Sequence, residues 1–181
     1  MADRPAQSPP PGAELLVSPE EVAGALDRLA AELQQHIDRE PCILLGVMIG
    51  GLLPMAWLAS RLAGDFQLDY CHVTRYRGSQ RGGQPVWLRP PSLEQRGRHV
   101  IVIDDIFDEG VTLEYVREQC RDAGAAQVSA VALVEKRHGR AVARPPELVG
   151  QPVPDRYVFG CGMDFEHHWR HLRGIYAMQE T

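Results

Sequence analysis

The 181-residue chain has no run long and apolar enough to span a bilayer, no C-x-x-C pair, no internal repeat and no surplus of positive charge. Each absence closes off a class. Without about 20 consecutive apolar residues there is no transmembrane helix. The first seventeen residues hold Pro5, Pro9, Pro10, Pro11 and Gly12 but lack the apolar core of a secretory signal, so a cytoplasmic protein is expected. Cys42, Cys71, Cys120 and Cys161 are scattered, which points away from disulfides and zinc and toward buried reduced thiols. A formal charge of −5 disfavours broad contact with nucleic acid.

What remains is an ordinary enzyme-sized composition, 44% hydrophobic and 24% charged, enough to bury one core. Residues 1–17 read as a disordered arm and residues 18–181 as a single domain. Ser18-Pro19-Glu20-Glu21 has capping-box spacing, and Val22, Leu26, Leu29, Leu33 and Ile37 follow on one helical face. Strands are expected at 42–48, 68–74, 86–88 and 127–134, and a helix at 52–63 with Pro54 in its first turn. The glycine-rich stretch 77–85 reads as a loop. Strands alternating with helices imply an α/β fold with a mostly parallel central sheet flanked by helices, whose ligands gather beyond the carboxyl ends of the strands.

One segment carries most of the chemistry. Residues 100–103 form an apolar β-branched strand, Asp104-Asp105 end it, and Asp108-Glu109-Gly110-Val111-Thr112 turn into a helix opening near Leu113. Unpaired N–H groups and the dipole at a helix start favour an anion. Gly110 permits close approach, and Thr112 adds a hydroxyl donor. Two carboxylates beside an anion site call for Mg2+ or sugar hydroxyls between them. Together these suggest a phosphorylated sugar and a metal. A second loop, Met48-Ile49-Gly50-Gly51, also follows a buried strand, where a plain turn is an equal reading. Glu135-Lys136-Arg137 closes another strand, and there a surface charge cluster is the usual explanation.

The segment at 100–112 resembles the 5-phosphoribosyl 1-diphosphate (PRPP) signature of type I phosphoribosyltransferases. Lys136, then Val153-Pro154-Asp155-Arg156-Tyr157-Val158, then Asp164 and Arg170, is similar to the hypoxanthine–guanine phosphoribosyltransferases, and the overall pattern resembles a proteobacterial branch. The resemblance covers residues 40–178 and implies a fold with a flexible lid at about 75–87 and a small hood at about 145–181. It implies Mg-dependent purine salvage: transfer of the phosphoribosyl group from PRPP to N9 of hypoxanthine or guanine, giving IMP or GMP and pyrophosphate. It also implies a homodimer or homotetramer.

Residue by residue, the resemblance gives Asp108 the N7 proton and assigns Asp108, Glu109, Gly110, Val111 and Thr112 to the 5′-phosphate. Asp104 and Asp105 would meet the ribose and Mg2+, with Asp164 near a second Mg2+. Met48, Ile49, Gly50, Gly51 and Arg170 would bind pyrophosphate, with a non-proline cis peptide between Met48 and Ile49. Lys136 would donate to purine O6, Tyr157 stack on the ring, Val158 read the Watson–Crick edge and the Asp164 backbone approach the exocyclic amine of guanine. Lysine has only donors, which matches the O6 acceptor and not an adenine amine. Arg75 and Tyr76 would belong to the lid. The chain departs from the family at Ile49, Glu109 and Val111, where Lys, Thr and a basic residue are frequent, and at Arg75 in place of serine. A PRPP-sensing, RNA-binding regulator and a non-catalytic paralogue are the alternatives. The histidines at 167, 168 and 171 lack the spacing of a tetrahedral metal set.

Overall fold

Ser18 begins the first helix as its sequence requires: its side chain accepts the Glu21 N–H, and the Glu21 carboxylate accepts the Ser18 N–H in return. The computed structural model describes residues 8–75, 84–138, 140 and 143–179. Helix α1 spans Pro19–Ile37 and buries Val22, Leu26, Leu29, Leu33 and Ile37, the face set by its 3.6-residue period.

The main sheet has six strands. These are β2 (Cys42–Met48), β3 (Phe66–Arg75), β4 (Pro85–Arg89), β5 (His99–Phe107), β6 (Gln127–Arg137) and β7 (Leu148–Pro154), in the order β4-β3-β2-β5-β6-β7. All neighbours are parallel except the antiparallel edge pair of β3 and β4. The pleat sorts alternate residues into two cores. Leu44, Ile101, Ile103, Val131 and Leu133 pack with α1 and with α2 (Leu52–Ala59), and Trp57 joins them partly buried. Ile43, Leu45, Val47, Val100 and Val102 pack on the other side with Leu113, Val116 and Cys120 of α3 (Val111–Asp122). Burial on both faces explains why β2 and β5 read as continuous apolar runs. The four thiols are buried and unpaired by disulfides, and burial pushes Cys42 up to about 11 and Cys120 and Cys161 up to about 12.

Several boundaries differ from expectation. The arm does not extend to residue 17, because Ala13–Val17 form β1, which pairs antiparallel with β9 (Ile175–Met178). The second sheet, β1-β9-β8 with β8 at Val158–Phe159, is therefore built from both ends of the domain. The resemblance implies a hood at about 145–181, yet β7 belongs to the main sheet through its pairing with β6. Helix α2 ends at Ala59, short of residue 63. β5 continues past the acidic pair to Phe107 because Asp104, Ile106 and Phe107 find partners in Ala132, Val134 and Glu135. Helix α3 starts at Val111, two residues before Leu113, since Gly110 supplies its left-handed cap. The loop expected at 77–85 and Tyr76 fall mostly outside the described residues, and Arg75 is the last residue of β3. No helix among the described residues is long and apolar enough to cross a membrane.

Candidate functional site

The carboxyl ends of β2, β3 and β5 open into one cleft of about 640 Å3. Its walls include Met48, Ile49, Gly50, Asp104, Asp105, Asp108, Glu109, Gly110, Val111, Thr112 and Arg170, so the first glycine loop meets the acidic pair and the second loop although 50 or more residues separate it from them.

The first loop leaves β2 through a cis peptide between Met48 and Ile49, at the bond the sequence indicated. Gly51 N–H donates to Val47 O at 2.8 Å and Leu52 N–H to Ile49 O at 3.2 Å, which turns the chain into α2. A side chain at Gly50 would fall on the Asp105 carboxylate, so glycine there is a condition for bringing loop and acid together. Ile49 stands half exposed at the cleft.

The second loop caps α3. Gly110 adopts φ 77°, and a Cβ there would also lie 2.5 Å from the Phe107 ring. The first intrahelical bond is Glu114 N–H to Gly110 O at 2.9 Å, which leaves the preceding N–H groups of Val111, Thr112 and Leu113 without an acceptor four residues back. Glu109, the acid that seemed misplaced beside an anion, turns its carboxylate to Arg75 at 3.4 Å. That pair sets a positive charge opposite Glu109 at the helix entrance.

Asp104 and Asp105 are the acidic wall. Asp105 N–H donates to Asp104 Oδ1 and Ile106 N–H to Asp105 Oδ1. Burial, followed by the neighbouring Asp105 charge, holds the Asp104 carboxyl well above the ordinary range, and burial also raises Asp105. Two desolvated carboxylates repelling one another are an oxygen donor set suited to a hard cation. Among the described residues no third acid, histidine or cysteine joins them in a cluster. Mg2+ commonly retains waters and substrate phosphates, so two carboxylates fit it. Asp164 faces elsewhere: its Oδ1 pairs with Arg170 Nη2 at 2.7 Å, and Oδ2 accepts the His167 N–H. Arg170 also donates to Gly162 O at 2.6 Å, which aims its guanidinium at the cleft mouth.

Asp108 sits where the helix entrance meets the end of β6. Its Oδ2 accepts from Lys136 Nζ at 2.8 Å, and its Oδ1 from His138 Nε2 at 2.9 Å and Arg140 Nη2 at 3.1 Å. Burial would raise this carboxyl, but the Lys136, Arg140 and His138 donors outweigh it and hold Asp108 below the ordinary carboxylate range. Arg140 in turn grips Asp155 through both nitrogens at 2.8 and 2.9 Å. His138 and Arg140 were not foreseen. Their signal was available, because residues 136, 138 and 140 at the end of a strand share a face by the period of two. A second signal is rarity: Lys136 is the only lysine among the 181 residues.

Tyr157 is 60% exposed, with its ring edge-on to Phe165 at 5.8 Å. Val158 is buried and paired with Ala177 in the small sheet. Lys136, Tyr157, Val158 and Asp164 are not among the described walls of the 640 Å3 cleft, and Lys136 reaches it through Asp108. His72 and Ile106, which were not anticipated, do line it.

Comparison with known proteins gives the family and the fold. The phosphoribosyl transferase domain family matches residues 14–166. The Bacillus subtilis hypoxanthine-guanine phosphoribosyltransferase is 31% identical over 160 residues, 88% of this chain and 89% of that protein. The Streptococcus pneumoniae protein of the same name is 28% identical over 168 residues, covering 92% and 93%. Among solved structures, a variant of Trypanosoma cruzi hypoxanthine phosphoribosyltransferase complexed with the product IMP superimposes with TM-score 0.85 at 25% identity, covering 95% of this chain and 93% of that one.

Proposed function

The chain belongs to the phosphoribosyl transferase family, and from that premise we propose that it is a hypoxanthine/guanine phosphoribosyltransferase of purine salvage. It transfers the 5-phosphoribosyl group of PRPP to N9 of the base and releases pyrophosphate. The observation that carries this reading is the meeting of Asp108 with Lys136 at 2.8 Å beside the α3 entrance, which places a carboxylate acceptor and an ammonium donor side by side. A 6-oxopurine offers the complement, an N7 proton next to the O6 acceptor.

The 5′-phosphate docks on the free amides that open α3, with Glu109 and Val111 serving through N–H groups and Thr112 through its hydroxyl as well. The backbone of Met48, Ile49 and Gly50 and the guanidinium of Arg170 receive the pyrophosphate, while Gly51, expected among them, does not line the cleft and gives its N–H to Val47 O. Asp104 and Asp105 would hold Mg2+, which when bound would supply positive charge to stabilise the departing pyrophosphate. Asp164, paired with Arg170 at 2.7 Å, would be a ligand for a second Mg2+, and its backbone would meet the C2 substituent. Tyr157 stacks on the purine and the Val158 backbone reads its edge.

The proton step is balanced at Asp108. The N7–H bond breaks as an O–H bond forms on the carboxylate, the N9 electron pair forms the bond to the anomeric carbon, and the anomeric C–O bond breaks with its pair leaving on pyrophosphate. Arg75 lines the cleft, where it would help to exclude the water that otherwise hydrolyses PRPP; Tyr76 lies outside the described residues. Pyrophosphate release with hypoxanthine, guanine, xanthine and adenine offered separately tests the assignment. Turnover is expected with hypoxanthine and guanine and not with adenine. Asp108→Asn is expected to lower kcat by about 10²–10⁴-fold, the usual contribution of a general base. A kcat close to that of the native chain would remove Asp108 from the role.

A further inference from the structure

The two oxygens of Asp108 are not equivalent. Among the described residues, Oδ2 has one partner, Lys136, whereas Oδ1 accepts from both His138 and Arg140. The donors on Oδ1 also differ. The His138 side chain is 5% exposed and the Arg140 side chain 47%, so solvent screens the arginine contact far more. Asp155 further divides the attention of Arg140.

The tautomer of His138 is set by the main chain. Its Nδ1 accepts the Arg140 backbone N–H at 3.3 Å, so Nδ1 carries no proton in the neutral ring. The single N–H of that ring is then at Nε2, and it points at Asp108 Oδ1, 2.9 Å away. This is a buried donor of fixed direction, placed one residue beyond the end of β6 by the same strand that carries Lys136.

We infer that His138 is a positioning residue for the proton transfer: it anchors Asp108 through Oδ1, so that Oδ2 alone exchanges Lys136 for the purine N7–H. The inference rests on the reading of Asp108 as the N7 base. When a 6-oxopurine arrives, Lys136 transfers its donation to O6 and Oδ2 is vacated facing N7, while the carboxylate plane stays fixed. Without the Oδ1 anchor the vacated carboxylate would rotate, and the alignment that makes the transfer fast would be lost. The groups facing His138 are Asp108 from the β5–α3 turn, Lys136 from β6, and Arg140 and Asp155 from the flanking loops.

The test compares His138→Leu, which removes the donor, with His138→Gln, whose side-chain amide can place an N–H near the former Nε2. His138→Leu is expected to lower kcat about tenfold with the KM for PRPP changed by less than about twofold, the signature of a group acting only in the transition state. His138→Gln is expected to recover most of the rate. Carbon-13 titration of the Asp108 carboxyl should move upward in His138→Leu, because the anion loses a donor, and stay near the native position in His138→Gln. In an Asp108→Asn background, the further loss on removing His138 should shrink to within about twofold. A full-sized second loss there, a Gln variant as slow as the Leu variant, or an unmoved titration would overturn the inference. Nitrogen-15 spectra of the native protein decide it even if His138→Leu fails to fold, since a proton found on Nδ1 contradicts the anchor. The base role fails separately, by Asp108→Asn keeping its kcat while the His138 variants still move the carboxyl titration.

Discussion

Lys136 Nζ lies 2.8 Å from Asp108 Oδ2, so the two groups assigned to the adjacent O6 and N7 positions of a purine pair with one another in the free protein. The pair is substantially buried on the lysine side, with 14% of that side chain exposed. Lys136→Met leaves O6 of a bound base without its charged donor, a loss of about 1.5–3 kcal/mol. We expect kcat/KM for hypoxanthine and guanine to fall by about 10- to 100-fold, while the fold survives because methionine fills the aliphatic volume. Initial rates at several base concentrations check this, and unchanged rates on both bases would leave Lys136 a structural counter-ion to Asp108.

Gly110 is the second point where sequence and chemistry interlock. At φ 77° an alanine is strained, and its Cβ would press on the Phe107 ring. The left-handed conformation costs a non-glycine residue roughly 1–2 kcal/mol before the clash is counted. The displaced loop would misdirect the amides at the start of α3. Gly110→Ala is expected to raise the KM for PRPP by about tenfold or more with a smaller change in the KM for the base. Equal effects on both substrates would mean that the loop does not serve the phosphate.

How far the sequence carries depends on range. The acidic pair and the Gly110 turn, unlike the cis bond after Met48, which followed only from the family resemblance, were legible because each belongs to a contiguous motif whose geometry is local. The pairing of Ala13–Val17 with β9 was not, because its partner lies more than 150 residues away and proline-rich flanks mask an extended segment. The same limit explains why Glu109 read as an oddity until Arg75, 34 residues distant, was found opposite it. The period of two puts His138 on the face of Lys136, but it does not name the carboxylate 30 residues back that the ring meets.

Arg117 makes a prediction about stability. It is fully buried in α3, donating to Arg144 O at 2.7 Å and Pro145 O at 3.0 Å and pairing with Glu147 at 2.7 Å. Burial works to raise the Glu147 carboxyl, but the Ala130 N–H and Arg117 outweigh it and hold it low. The arginine therefore ties α3 to the segment that leads into β7. Arg117→Met deprives Glu147 and two carbonyls of their donor, and breaking one side of a buried pair costs about 3–5 kcal/mol. Urea unfolding should show a loss of about 3 kcal/mol, near the low end because Glu147 is partly solvated. A midpoint unchanged from native would mean water replaces the guanidinium without cost.

His99 supplies the dependence on pH. At the opposite end of the sheet from the cleft, its Nδ1 donates to Glu40 Oε1 at 3.2 Å and its Nε2 accepts from the Ser129 hydroxyl at 2.9 Å, the neutral tautomer satisfied on both sides. Burial lowers its pKa from the ordinary 6.5, and the nearby His36 adds to that, while Glu40 opposes both. The unfolded chain therefore takes up a proton at a higher pH than the folded one does. The stability gained by keeping His99 neutral is complete above about pH 6.5 and is lost as the pH falls toward the folded value. Denaturant midpoints taken between about pH 7.5 and 5.5 should fall more steeply in the native chain than in His99→Gln, whose amide cannot take up that proton. If both lose stability equally over that interval, the acid sensitivity belongs to other groups and His99 is merely packed.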